Sequence, residues 1–143
     1  VDYDIIGYSF YPWSHGTLMD LRDNLYHTIK KFGKPVIVIE TGYYSEPSGY
    51  FEKKGERGPL PETPEGQKEW FQAVNEIVMA APDHMGLGVF WWEPMFAGRG
   101  FFDDRTHVAK PIVTAFEKYA FPLDRFDGNP RIWDFEPGEK PAN

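Results

Sequence analysis

Short apolar runs alternate along this chain with longer stretches in which apolar residues recur every three or four positions. Asp4-Ile5-Ile6-Gly7-Tyr8-Ser9-Phe10-Tyr11 reads as a strand, closed by Pro12 and the turn Trp13-Ser14-His15-Gly16. Thr17 then stands as an N-cap with Asp20 three residues on. Leu18, Leu21, Leu25, Ile29 and Phe32 mark one face of a helix that Gly33 closes. After Lys34-Pro35, Val36-Ile37-Val38-Ile39 is an unbroken β-branched run, expected of a strand covered on both faces and hence of a parallel sheet; it stops at a charge, Glu40. From Thr41 to Glu62 the chain is rich in Gly, Pro, Tyr and charge, and so long a connection inside a compact domain is usually functional or disordered. Thr63-Pro64 gives the N-cap and first-turn proline of a second helix, with Trp70, Phe71, Val74, Ile77 and Val78 as its buried stripe. Gly86-Leu87-Gly88-Val89-Phe90-Trp91-Trp92 is a third strand, again ending at a carboxylate, Glu93, and then Pro94. A loop containing Gly and Arg leads to a shorter helix, with Pro111 near its start and Ile112, Val113, Phe116 and Tyr119 as its apolar positions.

Three successive βα units of this kind are the signature of parallel crossovers, so the expected class is α/β. The 143 residues suffice for one ordinary domain but fall short of the roughly 250 that a closed eight-stranded barrel needs. Either the fold is smaller or residues are missing, and the opening Val1-Asp2-Tyr3-Asp4, without a start methionine, reads as a segment of a longer protein. Beyond Phe121 the composition shifts to Pro, Asp and Gly with little periodicity. The expected division is therefore a folded portion over residues 1–120 and a tail over 121–143. No Gly-rich phosphate loop follows any strand, which argues against a nucleotide-binding sheet.

Charge narrows the partners. A formal net charge of −7 would repel nucleic acid and anionic membrane surfaces on average, so neither is expected as a partner. No apolar run approaches the roughly 20 residues needed to cross a bilayer. Without cysteine there is neither a disulfide framework nor a thiolate metal site, which leaves the compartment open. Aromatic residues make up 17% of the chain and crowd into a few segments, so the function has to use or explain them.

Ligands of parallel α/β folds bind at the carboxyl ends of the strands, which here are Tyr11, Glu40 and Glu93. A carboxylate closing Val-Ile-Val-Ile is costly to desolvate unless paired, and a protein that keeps one there commonly uses it. The plain alternative is that each Glu caps a following helix or pairs with an Arg on the rim. Two carboxylates among Trp and Tyr suggest hydrolysis of a sugar, because glycosidases need an acid and a nucleophile or base, and aromatic faces stack on sugar rings. On adjacent strands the two backbones would stand roughly 5 Å apart, a spacing that suits a retaining pair.

Five spaced segments carry a family resemblance: Asp4 to Pro12, His15-Gly16-Thr17-Leu18, Lys34 to Thr41, Thr63-Pro64-Glu65-Gly66-Gln67, and Gly86 to Pro94. In that order they resemble glycoside hydrolase family 53, the arabinogalactan endo-β-1,4-galactanases, over roughly residues 2 to 120. The resemblance implies that the three units are strands six, seven and eight of a (β/α)8 TIM barrel left incomplete in this chain. It implies a retaining mechanism on β-1,4-galactan, with Glu40 as nucleophile, and needs no cofactor. It also implies that the acid/base Glu, in an Asn-Glu pair ending strand four, lies outside the chain. Asn75-Glu76 has the letters of that pair but sits in the middle of a helical pattern and is rejected as a substitute. By the same resemblance Glu93 becomes a substrate-binding residue and Trp92 part of a sugar platform, while Tyr11 hydrogen-bonds near the nucleophile and Trp13 and His15 line subsites. The protein would be exported, secreted or periplasmic, and monomeric when complete.

The chain departs from the pattern in places. Ser14 stands where many bacterial members have an aromatic, so a stacking surface is lost there or supplied by Trp13. Met95 to Arg105 is short where some members hold calcium, and Asp103-Asp104 with His107 reads as solvated charge, so no metal is expected. Tyr43, Tyr44, Tyr50 and Phe51 in the long loop are expected to shape distant subsites. Two rival readings stay open from sequence: a non-catalytic carbohydrate-binding module, and an inactive barrel fragment whose open sheet edges invite association.

Overall fold

The computed structural model describes residues 2–54, 58–96 and 98–119; the tail expected over 121–143 lies outside the described residues. Three strands and three helices alternate: β1 (Ile6–Phe10), α1 (Leu18–Phe32), β2 (Val36–Thr41), α2 (Pro64–Met79), β3 (Gly86–Trp91) and α3 (Ile112–Tyr119), with short 3-10 turns at Glu52–Lys54 and Pro82–His84. The strands form one parallel sheet in the order β1-β2-β3, as the alternating pattern predicts.

Local chemistry fixes the helix ends. The Thr17 hydroxyl accepts from the Asp20 amide while the Asp20 carboxylate accepts from the Thr17 amide, a closed capping box. At the other end Gly33 adopts the left-handed conformation at φ 58° and donates its amide to Ile29 O, which ends α1 where the sequence predicts. Thr63 caps α2 with its hydroxyl alone, which accepts from the Gly66 amide.

The helices lie on one face of the sheet. Phe10, Leu21, Leu25, Ile29, Val36, Val38, Trp70, Val74 and Val78 are buried together between the layers. The packing is close at the start of β3, where a methyl group on Gly86 would stand 1.7 Å from Val78 O. A smaller cluster of Phe71, Ile112 and Ala115 seats α3 on α2.

The other face of the sheet differs from expectation. β2 was expected to be covered on both sides, yet only Val36 and Val38 of its β-branched run are buried, and Ile39 is 43% exposed. Ile5, Leu87 and Phe90 are exposed as well, at 45%, 46% and 61%. The physical reason is that, among the described residues, no second layer covers this face.

The register carries a second departure. Tyr8 lies opposite Val38 but Ser9 lies opposite Glu40, so Ile39 is an extra residue, a bulge in a parallel ladder. Ahead of the bulge, Val36 and Val38 point to the helices; after it, Thr41 does, fully buried and accepting a hydrogen bond from Trp70 Nε1 at 3.1 Å. Glu40 is thereby turned to the open face alongside Ser9. The strand also runs on through Glu40 to Thr41 instead of stopping at the charge.

Thr17→Ala in the complete protein is expected to cost about 1 kcal/mol in chemical denaturation, because it opens the capping box. An unchanged midpoint would show that the capping box does not hold α1.

Candidate active site

The site is assembled where the strands end. Tyr11 follows β1, Glu40 lies near the end of β2, and Trp92 and Glu93 follow β3. The Tyr11 hydroxyl donates to Glu40 Oε2 at 3.2 Å. The phenol's pKa is raised from 10.0 to about 12, first by burial, then by the charge of Glu40 and the hydrogen bond to it; Arg99 acts in the opposite sense. Tyr11 is therefore a neutral donor to a carboxylate throughout the physiological range.

Aromatic rings extend from this pair toward the loop after β2. Trp13 stacks on Tyr11 at 5.1 Å between centroids and on Tyr50 at 5.3 Å. Tyr44 tilts against Trp13 at 5.5 Å, and Phe51 meets it edge-on at 6.5 Å. Trp13 is thus the half-buried hub of the cluster, while Tyr50 is its exposed ring. His15 closes the turn after β1: its Nδ1 accepts from the Tyr11 amide at 3.0 Å, and its ring tilts against Tyr11 at 5.9 Å.

Glu93 is partnered differently from Glu40. Its backbone is left-handed at φ 54°, uncommon for a side chain of this kind, and its Oε2 accepts from Arg99 Nη2 at 2.7 Å. The Arg alternative weighed from sequence is thus realised at Glu93, whereas Glu40 is held by a phenol. Arg99 also lies 5.5 Å from the Tyr44 ring and 5.1 Å from the Phe96 ring.

Buried polar contacts bind the loop after β2 to the loop after β3. The fully buried Gln67 donates through Nε2 to Tyr43 O and Arg99 O, both at 3.0 Å. Trp91 Nε1 donates to the same Arg99 carbonyl at 3.0 Å. Ser45 donates its amide and hydroxyl to Gly98 O, and Lys110 Nζ reaches both Ser45 Oγ and Gly100 O. The Tyr44 and Arg99 side chains are therefore carried on one cross-linked platform.

Asn75-Glu76 lies within α2: Asn75 donates to Phe71 O at 2.8 Å, and Glu76 pairs at the surface with Lys118. Asp103 caps its own turn, accepting from the Arg105 and Thr106 amides and the Thr106 hydroxyl.

A phenol-held carboxylate at the C-terminal end of a parallel sheet, flanked by stacked rings and a second carboxylate, is a geometry suited to sugar chemistry. The family model for glycosyl hydrolase family 53 matches residues 1–121. The chain belongs to glycosyl hydrolase family 53. It is 40% identical over 119 residues to an endo-β-1,4-galactanase of Bacillus subtilis, covering 79% of this chain but 27% of that protein. A solved fungal β-1,4-galactanase matches 81% of this chain and 38% of its own, at 26% identity and a TM-score of 0.66. The family 53 catalytic domain of Ignisphaera aggregans shares the fold, with a TM-score of 0.70 at 22% identity over 81% of this chain and 39% of its own. The chain thus spans about a quarter to two-fifths of these family 53 proteins.

Of the residues expected at the family 53 site, Tyr11 and Glu40 are in direct contact, Trp13 and His15 pack on Tyr11, and Trp92 and Glu93 stand at the neighbouring strand end, both exposed. Sequence reasoning missed Gln67 and Arg99 as site-forming groups. Gln67 belongs to the Thr63–Gln67 segment, and Arg99 stands between Gly98 and Gly100, the one local hint that its backbone is closely packed.

The raised phenol has a sign that can be measured. Its folded value exceeds the unfolded one, so any stability it contributes is complete below pH 10.0 and is lost as pH rises through about 12. Midway between those values, the ultraviolet difference between wild type and Tyr11→Phe is expected to show only about a tenth of the Tyr11 phenolate. A full phenolate signal there would mean that Tyr11 is neither buried nor held by Glu40 as described.

Proposed function

We propose that this chain is the nucleophile-bearing part of a retaining, endo-acting glycoside hydrolase that cleaves β-1,4-galactan. The observation that carries this reading is the Tyr11–Glu40 hydrogen bond on the open face at the C-terminal end of the sheet. Glu40 attacks the anomeric carbon and expels the leaving sugar, forming a glycosyl-enzyme that water then hydrolyses. Tyr11, neutral and donating, orients the carboxylate while keeping its own proton. Trp13 and His15 hold the turn that positions Tyr11, Trp92 offers an aromatic face to a sugar ring, and Glu93 binds its hydroxyls.

On the same reading the three βα units are strands six to eight of a (β/α)8 barrel, with residues 1–120 as its C-terminal portion. The exposed Ile5, Ile39, Leu87 and Phe90 then belong to the barrel interior, covered by strands contributed from outside this chain. The acid/base carboxylate would come from one of those strands, which is where the family resemblance puts it. The names of the family 53 relatives support galactan as the substrate.

In the complete protein, Glu40→Gln is expected to lower β-1,4-galactan hydrolysis by at least about a thousandfold while the protein stays folded. Proton NMR of the wild-type reaction is expected to show the β-anomer as the first product. Unchanged turnover of the variant would remove Glu40 from the chemistry, and an α-anomer would overturn retention. Residues 1–143 alone are expected to hydrolyse galactan negligibly; robust turnover by that segment would show that no essential group lies outside it.

A further inference from the structure

Arg99 is a charged group whose hydrogen-bonding capacity is largely unused. Only 13% of its side-chain surface is exposed, yet among the described residues it makes one side-chain hydrogen bond, from Nη2 to Glu93 Oε2 at 2.7 Å. Its Nε is buried without a partner among them. A guanidinium has five N–H donors, and buried donors are nearly always satisfied, by protein, water or ligand. The Tyr44 and Phe96 rings, 5.5 and 5.1 Å away, restrain the side chain against swinging out. Its carbonyl is pinned by Gln67 and Trp91, so the backbone beneath is fixed as well.

Beside it stands an exposed acceptor. Glu93 is 42% exposed at its side chain, and Arg99 engages its Oε2 alone among the described residues. A Cβ on Gly42 would stand 3.5 Å from both Arg99 Cδ and Tyr11 Cε1, which places the pair close to the Tyr11–Glu40 contact. A donor and an acceptor side by side match two adjacent sugar hydroxyls, one accepting from the guanidinium and the other donating to the carboxylate. In a 1,4-linked galactosyl residue O1 and O4 are spent in linkages, so the free adjacent pair is O2 and O3.

We propose that Arg99, paired with Glu93, is a substrate-binding residue that clamps the O2–O3 diol of a galactosyl residue next to the one presented to Glu40. This rests on the galactanase reading above and adds Arg99 to its site. Because the clamp touches a ring that does not react, it contributes to ground-state and transition-state binding alike.

The test uses the complete protein and steady-state hydrolysis of β-1,4-galactan by wild type, Arg99→Met and Arg99→Lys, with thermal melts of each. Arg99→Met is expected to raise KM about tenfold, with the fall in kcat/KM carried chiefly by KM, as for loss of one hydrogen bond from a charged donor. Arg99→Lys, which keeps the charge but not the fork, is expected to raise KM by a smaller factor. A Met variant with unchanged KM and a lowered melting temperature would make Arg99 a purely structural residue and overturn the proposal, as would a fall confined to kcat. If the Met variant does not fold, the Lys variant decides: a raised KM supports the clamp, and a wild-type KM refutes it. Wild-type protein that fails to cleave galactan would defeat the galactanase reading itself, an outcome distinct from any of these.

Discussion

Between Tyr8 opposite Val38 and Ser9 opposite Glu40, β2 carries one residue more than β1, and the direction of the strand-end carboxylate follows from that extra residue. In an unbroken ladder the pleat would send Glu40 to the side of Val36 and Val38, into the helix layer, where an ionised carboxylate would need buried partners to survive. With Ile39 bulged, Thr41 takes the helix side and bonds Trp70, while Glu40 emerges on the open face within reach of Tyr11. The bulge separates a carboxylate that can meet a ligand from one that would have to be neutralised inside the protein.

The remainder of the site depends on that face being framed. Two loops that are long in sequence are joined by few but buried contacts: Gln67 bridges Tyr43 and Arg99, and Ser45 and Lys110 reach across to Gly98 and Gly100. Gln67 is costly to lose, because removing its amide would cut the buried contact to Tyr43 O and leave the Arg99 carbonyl to Trp91 alone. Trp13 does for the aromatic side what Gln67 does for the polar side, gathering Tyr11, Tyr44, Tyr50 and Phe51 around one indole. Gln67 is fully buried and Trp13 half-buried, so both hold the loops from beneath.

What could be read from the sequence was local. Thr17 with Asp20, Gly33, Thr63-Pro64 and the apolar stripes of α1 and α2 each encode their element within a few residues, and the structure has those elements in place. Glu40 and Glu93 stood out because a charge after an apolar run is conspicuous in any sequence. The bulge did not, since Val36 to Ile39 has the same β-branched chemistry whether or not one of the four is unpaired. Coverage of the sheet's second face was not legible for a related reason: composition reports that a strand is suited to burial, not whether the burying partner lies among the described residues. Arg99 escaped notice because its partners, Glu93, Tyr44 and Phe96, meet it only through tertiary packing of loops that have no periodicity.

The role of Glu40 is open to direct chemical capture. A 2-deoxy-2-fluoro-galactoside with a good leaving group slows release of the glycosyl-enzyme more than its formation, so the complete protein incubated with it should gain one sugar mass. Peptide mapping by mass spectrometry is expected to find that sugar on the peptide containing Val38-Ile39-Glu40-Thr41, attached to Glu40. A label on another carboxylate, or no covalent adduct with an enzyme that turns over galactan, would contradict the assignment of Glu40 as the nucleophile.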